Sequence, residues 1–293
     1  MNRRAVTGAA MILGTSASIQ VSAAIAHDLF DTLTPTGVSA LRFALGAAVI
    51  LPAVRPAVRG RDRDTWTAIA VYGVSLAVLN VTFFESIERL PLGLAVTFAF
   101  VAPLGIALAG SRRRRDVAFA LLAGAGVVVL GGIDRPESPA GVALAVAAGC
   151  AWVSVAFAGR SVGRRTQRVD GLALAVPIAC MVTLPLGLGH AGALDTRSLG
   201  LGLVIAVGGM LLPFALELEG LRRLEPRLVA VIYSADPAIA ALIGLAALSE
   251  RLSAAQVAGI AAVIAASAGV TAGAPDEARS QPSARSAAAA ASR

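Results

Sequence analysis

The chain has 293 residues, of which 57% are hydrophobic, only 15% charged and only 4% aromatic, and its mean hydropathy is +0.77. A soluble domain usually carries about 25% charged and about 45–50% apolar residues, so these proportions exclude a soluble enzyme and a disordered chain and leave an integral membrane protein. The net charge of +7 comes from 25 arginines without a single lysine, and two Cys and two His are too few for a disulfide framework or a clustered metal site.

A membrane-spanning helix needs about 20 mostly apolar residues, because the hydrocarbon core is about 30 Å thick and each residue rises about 1.5 Å. Runs of that length predict an all-α membrane protein of ten transmembrane helices, near 5–26, 36–54, 65–84, 91–110, 117–133, 139–159, 170–188, 199–221, 228–248 and 255–273. The first run follows Arg3-Arg4 and ends at Ala24-Ile25-Ala26, the pattern of a cleavable secretory signal. Its length and its Ser16, Ser18 and Gln20 favour a retained span. Residues 274–293 are rich in Ala, Ser and Arg, carry Pro275 and Pro282, and read as a disordered cytoplasmic tail.

The arginines orient these spans. With the N-terminus inside, 20 fall on the inner side, Arg89, Arg135, Arg197 and Arg251 fall outside, and Arg42 lies within a span. That asymmetry predicts both termini in the cytoplasm of a multi-pass cell (inner) membrane protein. It also accounts for the positive charge without a nucleic-acid partner.

Sliding the chain by 134 residues aligns Glu85, Arg89, Leu90 and Pro103 with Glu219, Arg223, Leu224 and Pro237. Gly37 falls on Gly171 at the same offset, and Gly14 on Gly149 one residue further along. The repeat divides the chain into two five-helix units, 5–133 and 139–273. An odd number of helices turns the second copy upside down, and such inverted repeats characterise secondary transporters.

Pro103 and Pro237 fall near the middle of their spans and free the carbonyls of Ala99 and Tyr233. Paired interruptions of this kind point to a gating or substrate site, although a packed structural kink would read the same way. Asp236 is the acid nearest the midplane, and its repeat mate is Ala102; Glu217 has Phe83 as its mate and no arginine at i±3 or i±4. Ionisable groups in lipid are expensive, so both are candidates for substrate binding or proton coupling. Arg42 can either clamp a carboxylate or snorkel to the outer surface. Gln20, Asn80, Ser75 and Tyr233 are further polar groups that can line a cavity or bond neighbouring helices. The Glu85–Arg89 and Glu219–Arg223 pairs, at i,i+4 near helix ends, read as structural closures.

The segments Gly37-Val-Ser-Ala-Leu-Arg42-Phe43 and Ser249-Glu250-Arg-Leu-Ser-Ala-Ala-Gln256 resemble signatures of the EamA family of the drug/metabolite transporter superfamily. Ala17-Ser-Ile-Gln20, Tyr72-Gly-Val-Ser-Leu76 with Asn80, Pro91-Leu-Gly-Leu-Ala-Val96, Pro213-Phe-Ala-Leu-Glu217 and Ala265-Ala-Ser-Ala-Gly269 are similar to its threonine/homoserine exporter branch. The resemblance implies export of small neutral amino acids in exchange for protons, with no organic or metal cofactor. Two positions depart from the branch pattern. Ala99 stands where an acid usually precedes the helix 4 proline, and Asp236 where a Glu usually precedes the helix 9 proline.

The expected partners are a small-molecule amino acid and the lipid bilayer, with a homodimer left open. An exporter of another metabolite or drug is the same-class alternative, and only nine Phe, two Trp and two Tyr argue against a broad aromatic-lined cavity. A non-transporting assembly or sensor protein would not need acids placed asymmetrically on a symmetric scaffold. An intramembrane enzyme would need a nucleophile–base or metal constellation, and the sequence offers none.

Overall fold

The computed structural model describes residues 3–109, 138–166, 169–221, 223–224 and 226–273, together with 118–119, 121–122, 124–126 and 129. The predicted span at 117–133 is thus covered only in part, and the tail from 274 lies outside the described residues. The described chain is helical throughout, without strands: α1 (Arg3–His27), α2 (Phe30–Val54), α3 (Arg63–Ile87), α4 (Leu92–Ala99), α5 (Val101–Ala109), α6 (Pro139–Arg165), α7 (Asp170–Gly187), α8 (Thr196–Ala206), α9 (Leu212–Leu221), α10 (Pro226–Tyr233), α11 (Asp236–Ala247) and α12 (Ala254–Gly273). A π-helical turn, Val207–Leu211, joins α8 to α9. Among the described residues six stretches are long and apolar enough to cross a membrane, and α4–α5, α11 and α12 form shorter apolar helices.

The helix boundaries follow local chemistry. Asp62 caps α3 through the Thr65 amide, and Ser138 caps α6 through Gly141. Asp195 and Ser198 form a reciprocal capping box at the start of α8. Pro35 disfavours helical geometry in the residue before it, and Thr34 (φ 58°) kinks α2 at that point. The regular part of α2 therefore starts near residue 36.

Both midspan prolines coincide with interruptions, displaced a few residues towards the N-terminus. Pro103 has no amide to offer Ala99, and the helix breaks at Phe100 between α4 and α5. In the second unit α10 ends at Tyr233, Ser234 and Ala235 form a turn, and α11 restarts at Asp236. Pro237 then sits in the first turn of a helix, where a missing amide costs nothing.

Small residues set the packing. α3 lies along α6, α2 along α7, and α1 along the α8–α9 rod, while Gly93 of α4 rests on Ala241 of α11. A Cβ on Gly141 would come within 2.8 Å of Leu90 and 3.1 Å of Arg89. A Cβ on Gly8 would meet Leu224 at 2.8 Å and Arg223 at 3.0 Å. The aligned pairs Arg89-Leu90 and Arg223-Leu224 are thus each seated on a glycine of a neighbouring helix. Both i,i+4 ion pairs are formed, Arg89–Glu85 and Arg223–Glu219, each at 2.6 Å.

The tightest crossing is at Gly149 of α6, where a Cβ would collide with the Ala99 carbonyl. Gly149→Ala is expected to lower stability by about 1–3 kcal/mol through overpacking. Gly163→Ala, in the same helix with nothing within 4 Å, should be neutral or stabilising, since Ala is the better helix former. Thermal unfolding of the purified protein in detergent separates the two.

Candidate functional site

The break between α10 and α11 delivers Asp236 as the first residue of α11, only 6% exposed. An acid suits the positive end of a helix dipole. From α1, the Ser16 hydroxyl lies within hydrogen-bonding reach of the Asp236 carboxyl, while Asp236 Oδ1 has no partner. On α9, Glu217 lies near the Tyr233 hydroxyl, and Tyr72 of α3 is within electrostatic range of it. Glu217 and Asp236 are near enough to interact electrostatically, with Tyr233 coupled to both. Residues from α1, α3, α9, α10 and α11 thus converge on two carboxyl groups.

Arg42 forms a second centre. Its Nη2 donates to the Gly209 carbonyl at 2.6 Å, and its guanidinium carbon stands 5.7 Å from the Phe84 ring centroid. Those contacts aim the side chain into the bundle. Gly209 belongs to the π turn, whose altered hydrogen-bond register releases backbone carbonyls, and Ser18 binds the neighbouring Gly208 carbonyl at 2.5 Å. Arg42 Nε is buried without a partner. Ion pairs among the described residues join Arg61 to Asp170, Arg89 to Glu85 and Glu88, and Arg223 to Glu219. None of these includes Arg42, Glu217 or Asp236.

Gln20 and Asn80 are 4% and 7% exposed, and the carbonyl oxygens of their carboxamides have no partner. Each lies seven residues, roughly 10 Å at 1.5 Å per residue, from the end of its helix at the side where His27, Phe30 and Phe84 stack. Ser75 is buried on the same helix as Asn80. Buried polar atoms are almost always hydrogen-bonded. Among the described residues the exceptions are Gln20 Oε1, Arg42 Nε, Asn80 Oδ1 and Asp236 Oδ1, and all four belong to side chains selected from the sequence.

The two prolines have different surroundings. The carbonyl freed by Pro103 is covered by α6 at Gly149. Gly14, the repeat mate of Gly149, meets only Leu216 Cδ1 at 3.6 Å, so α1 does not close on Tyr233 in the same way. No group of three or more His, Cys, Asp or Glu among the described residues could hold a metal ion.

Ser16, the π turn and Glu250 escaped the sequence reading as parts of this arrangement. The Gly208-Gly209 pair inside a span was the available signal for the bulge. Glu250, in the loop between α11 and α12, accepts the Leu92 amide at 2.8 and 3.0 Å and so caps α4. Burial pushes its carboxyl above the ordinary glutamate value, partly opposed by the Leu92 amide and by His27.

The EamA-like transporter family model matches residues 139–272. The threonine/homoserine exporter RhtA of Escherichia coli K12 is 35% identical over 266 residues, covering 89% of this chain and 90% of that protein. RhtA of Salmonella typhimurium LT2 is similar to the same extent. A protein of known crystal structure, 23% identical, superposes with a TM-score of 0.61 over 92% of this chain and 96% of its own and shares the fold.

Arg42→Leu leaves the Gly209 carbonyl without its side-chain donor and is expected to cost about 1–3 kcal/mol, with Arg42→Lys milder; unfolding in detergent measures both. Because the folded Glu250 carboxyl binds its proton more tightly than the unfolded one at 4.5, its contribution is full below that pH and falls as pH rises through the higher folded value. Glu250→Gln should remove that decline while keeping an acceptor for Leu92, which melting temperatures between pH 4 and 8 would show.

Proposed function

The chain belongs to the EamA-like transporter family, and from that premise we propose that it exports small neutral amino acids of the threonine/homoserine type by proton antiport and alternating access. The carrying observation is that Glu217 and Asp236, two acids outside every described ion pair, lie near enough to interact electrostatically. The names of the RhtA relatives support the choice of cargo.

The proposed scaffold is ten transmembrane helices in two inverted five-helix repeats, with both termini on the cytoplasmic side of the inner membrane. The matched seating of Arg89-Leu90 on Gly141 and of Arg223-Leu224 on Gly8 supports the repeat. So does the correspondence between the α3–α6 pair and the α9–α1 pair. An odd-numbered repeat of this kind can rock about a central site and open to either side.

A zwitterionic amino acid suits the polar groups. Its ammonium is drawn to Asp236 and Glu217, and its carboxylate to Arg42, whose Nε donor is unpartnered. With the site open to the cytoplasm the acids are ionised and hold the ammonium. With the site open to the outside, a proton arriving on Glu217 or Asp236 removes the charge that holds it, and the amino acid leaves. Return to the cytoplasmic side releases the proton. The chain needs no cofactor in this cycle, and the proton is the coupling ion.

Counterflow and pH-gradient-driven flux of labelled threonine and homoserine in proteoliposomes test this reading. Glu217→Gln and Asp236→Asn are each expected to abolish proton-linked flux while the protein still purifies as a folded species. Full transport, independent of pH, in both variants would overturn it.

A further inference from the structure

We propose that Gln20 and Asn80 read the side-chain hydroxyl of the transported amino acid, so that this protein selects hydroxy amino acids over alkyl ones of the same shape. The inference rests on the exporter reading and adds to it the residues that set specificity. Burying a carbonyl oxygen without a donor is costly, and two carboxamides in an apolar helix bundle are retained in that state at Gln20 and Asn80.

Their placement gives the geometry. Gln20 stands one helical turn from Ser16 on α1, on the same face, and the Ser16 hydroxyl lies within reach of Asp236. Asn80 stands one turn from Phe84 on α3, and the Phe84 ring carries the Arg42 guanidinium. Each carboxamide therefore stands one turn, roughly 6 Å of rise at 1.5 Å per residue, from a residue that adjoins one of the two charged centres. An amino acid bridging Asp236 through its ammonium and Arg42 through its carboxylate would present its side chain to the space beside them.

The hydrogen-bonding complement is equally specific. Among the described residues the buried unpartnered side-chain atoms are one donor, Arg42 Nε, and three acceptors, Asp236 Oδ1, Gln20 Oε1 and Asn80 Oδ1. An α-amino acid with an alkyl side chain supplies a carboxylate for the donor and an ammonium for the aspartate. A hydroxyl supplies the further donor that buried carboxamide oxygens require, and also accepts from a carboxamide nitrogen. A pocket built to bond a hydroxyl rejects the analogue lacking it far more strongly than an apolar pocket rejects an added one.

The test uses 2-aminobutyrate, the analogue that both threonine and homoserine become when the hydroxyl is replaced by hydrogen. Counterflow in proteoliposomes gives the ratio of threonine to 2-aminobutyrate flux for the wild type, Gln20→Leu and Asn80→Leu, with Gln20→Met as the slimmer replacement should leucine disturb the packing. The wild type is expected to favour threonine, and each variant to lower the ratio by about ten-fold or more while keeping 2-aminobutyrate flux. A purely structural role would reduce both fluxes together and leave the ratio unchanged, which would overturn the inference. A wild type that carries both compounds equally would overturn it while the exporter reading stands. A wild type that carries no amino acid would bring down the exporter reading itself.

Discussion

A hydrocarbon core offers a peptide group no hydrogen-bond partner, so wherever a membrane helix is interrupted the chain itself must supply one. The packing of this bundle follows from how those interruptions are closed. The Ala99 carbonyl, which Pro103 cannot bond, is shielded by close packing on Gly149 and gains no donor there, the absence of a side chain letting α6 approach. The carbonyls of Gly208 and Gly209 in the π turn are met by Ser18 and Arg42. The first amide of α4 is met by a carboxylate from a distant loop, Glu250. Each closure ties two or three helices together at one depth, so the backbone demand of one helix fixes the position of another.

The same demand explains why Arg42 can reside inside a span. A guanidinium in lipid needs acceptors, and an unbroken α-helix has none to give because its carbonyls are engaged internally. The π turn changes that by one residue of register. It exposes a carbonyl to Arg42, and the glycine at that point leaves room for the guanidinium beside Ser22, since a Cβ on Gly209 would sit 3.2 Å from Nη2. The Phe84 ring face adds a cation–π contact. Bulge, glycine and arginine form one device, and removing any part leaves the others unsatisfied.

Much of this was legible beforehand because the signals are one-dimensional. Span length, arginine placement and the 134-residue offset depend only on order along the chain, and the described helix limits fall close to the predicted ones. The offset acquires a physical cause at Gly8 and Gly141, each of which makes room for an Arg-Leu pair. What could not be read depends on which helix faces which. Ser16 looks like an ordinary helix serine until α11 places Asp236 beside it. Arg42 was ambiguous between clamp and snorkel because its acceptor lies 167 residues away in a bulge that composition hints at only through two adjacent glycines. The helix breaks were expected at the prolines and fall before them, since a proline disrupts the carbonyl four residues back and is itself a good first-turn residue.

The proposed chemistry falls where the two aligned segments depart from each other. Pro103 and Pro237 are equivalent, yet the carbonyl freed by the first is closed off by Gly149, whereas Gly14 keeps its distance from the second. At that crossing the side chains also differ. Asp236 stands opposite Ala102 in the alignment, Glu217 opposite Phe83, and Tyr233 opposite Ala99. A symmetric pair of breaks would give two equal hinges and no preferred place for cargo. On the proposed reading, a glycine contact at one break and two acids, a tyrosine and a serine at the other would place mobility and chemistry at the same crossing. In the proposed cycle the proton and the ammonium then compete at this crossing, so the charge state of Glu217 and Asp236 would act directly on the contact of α1 with α10–α11.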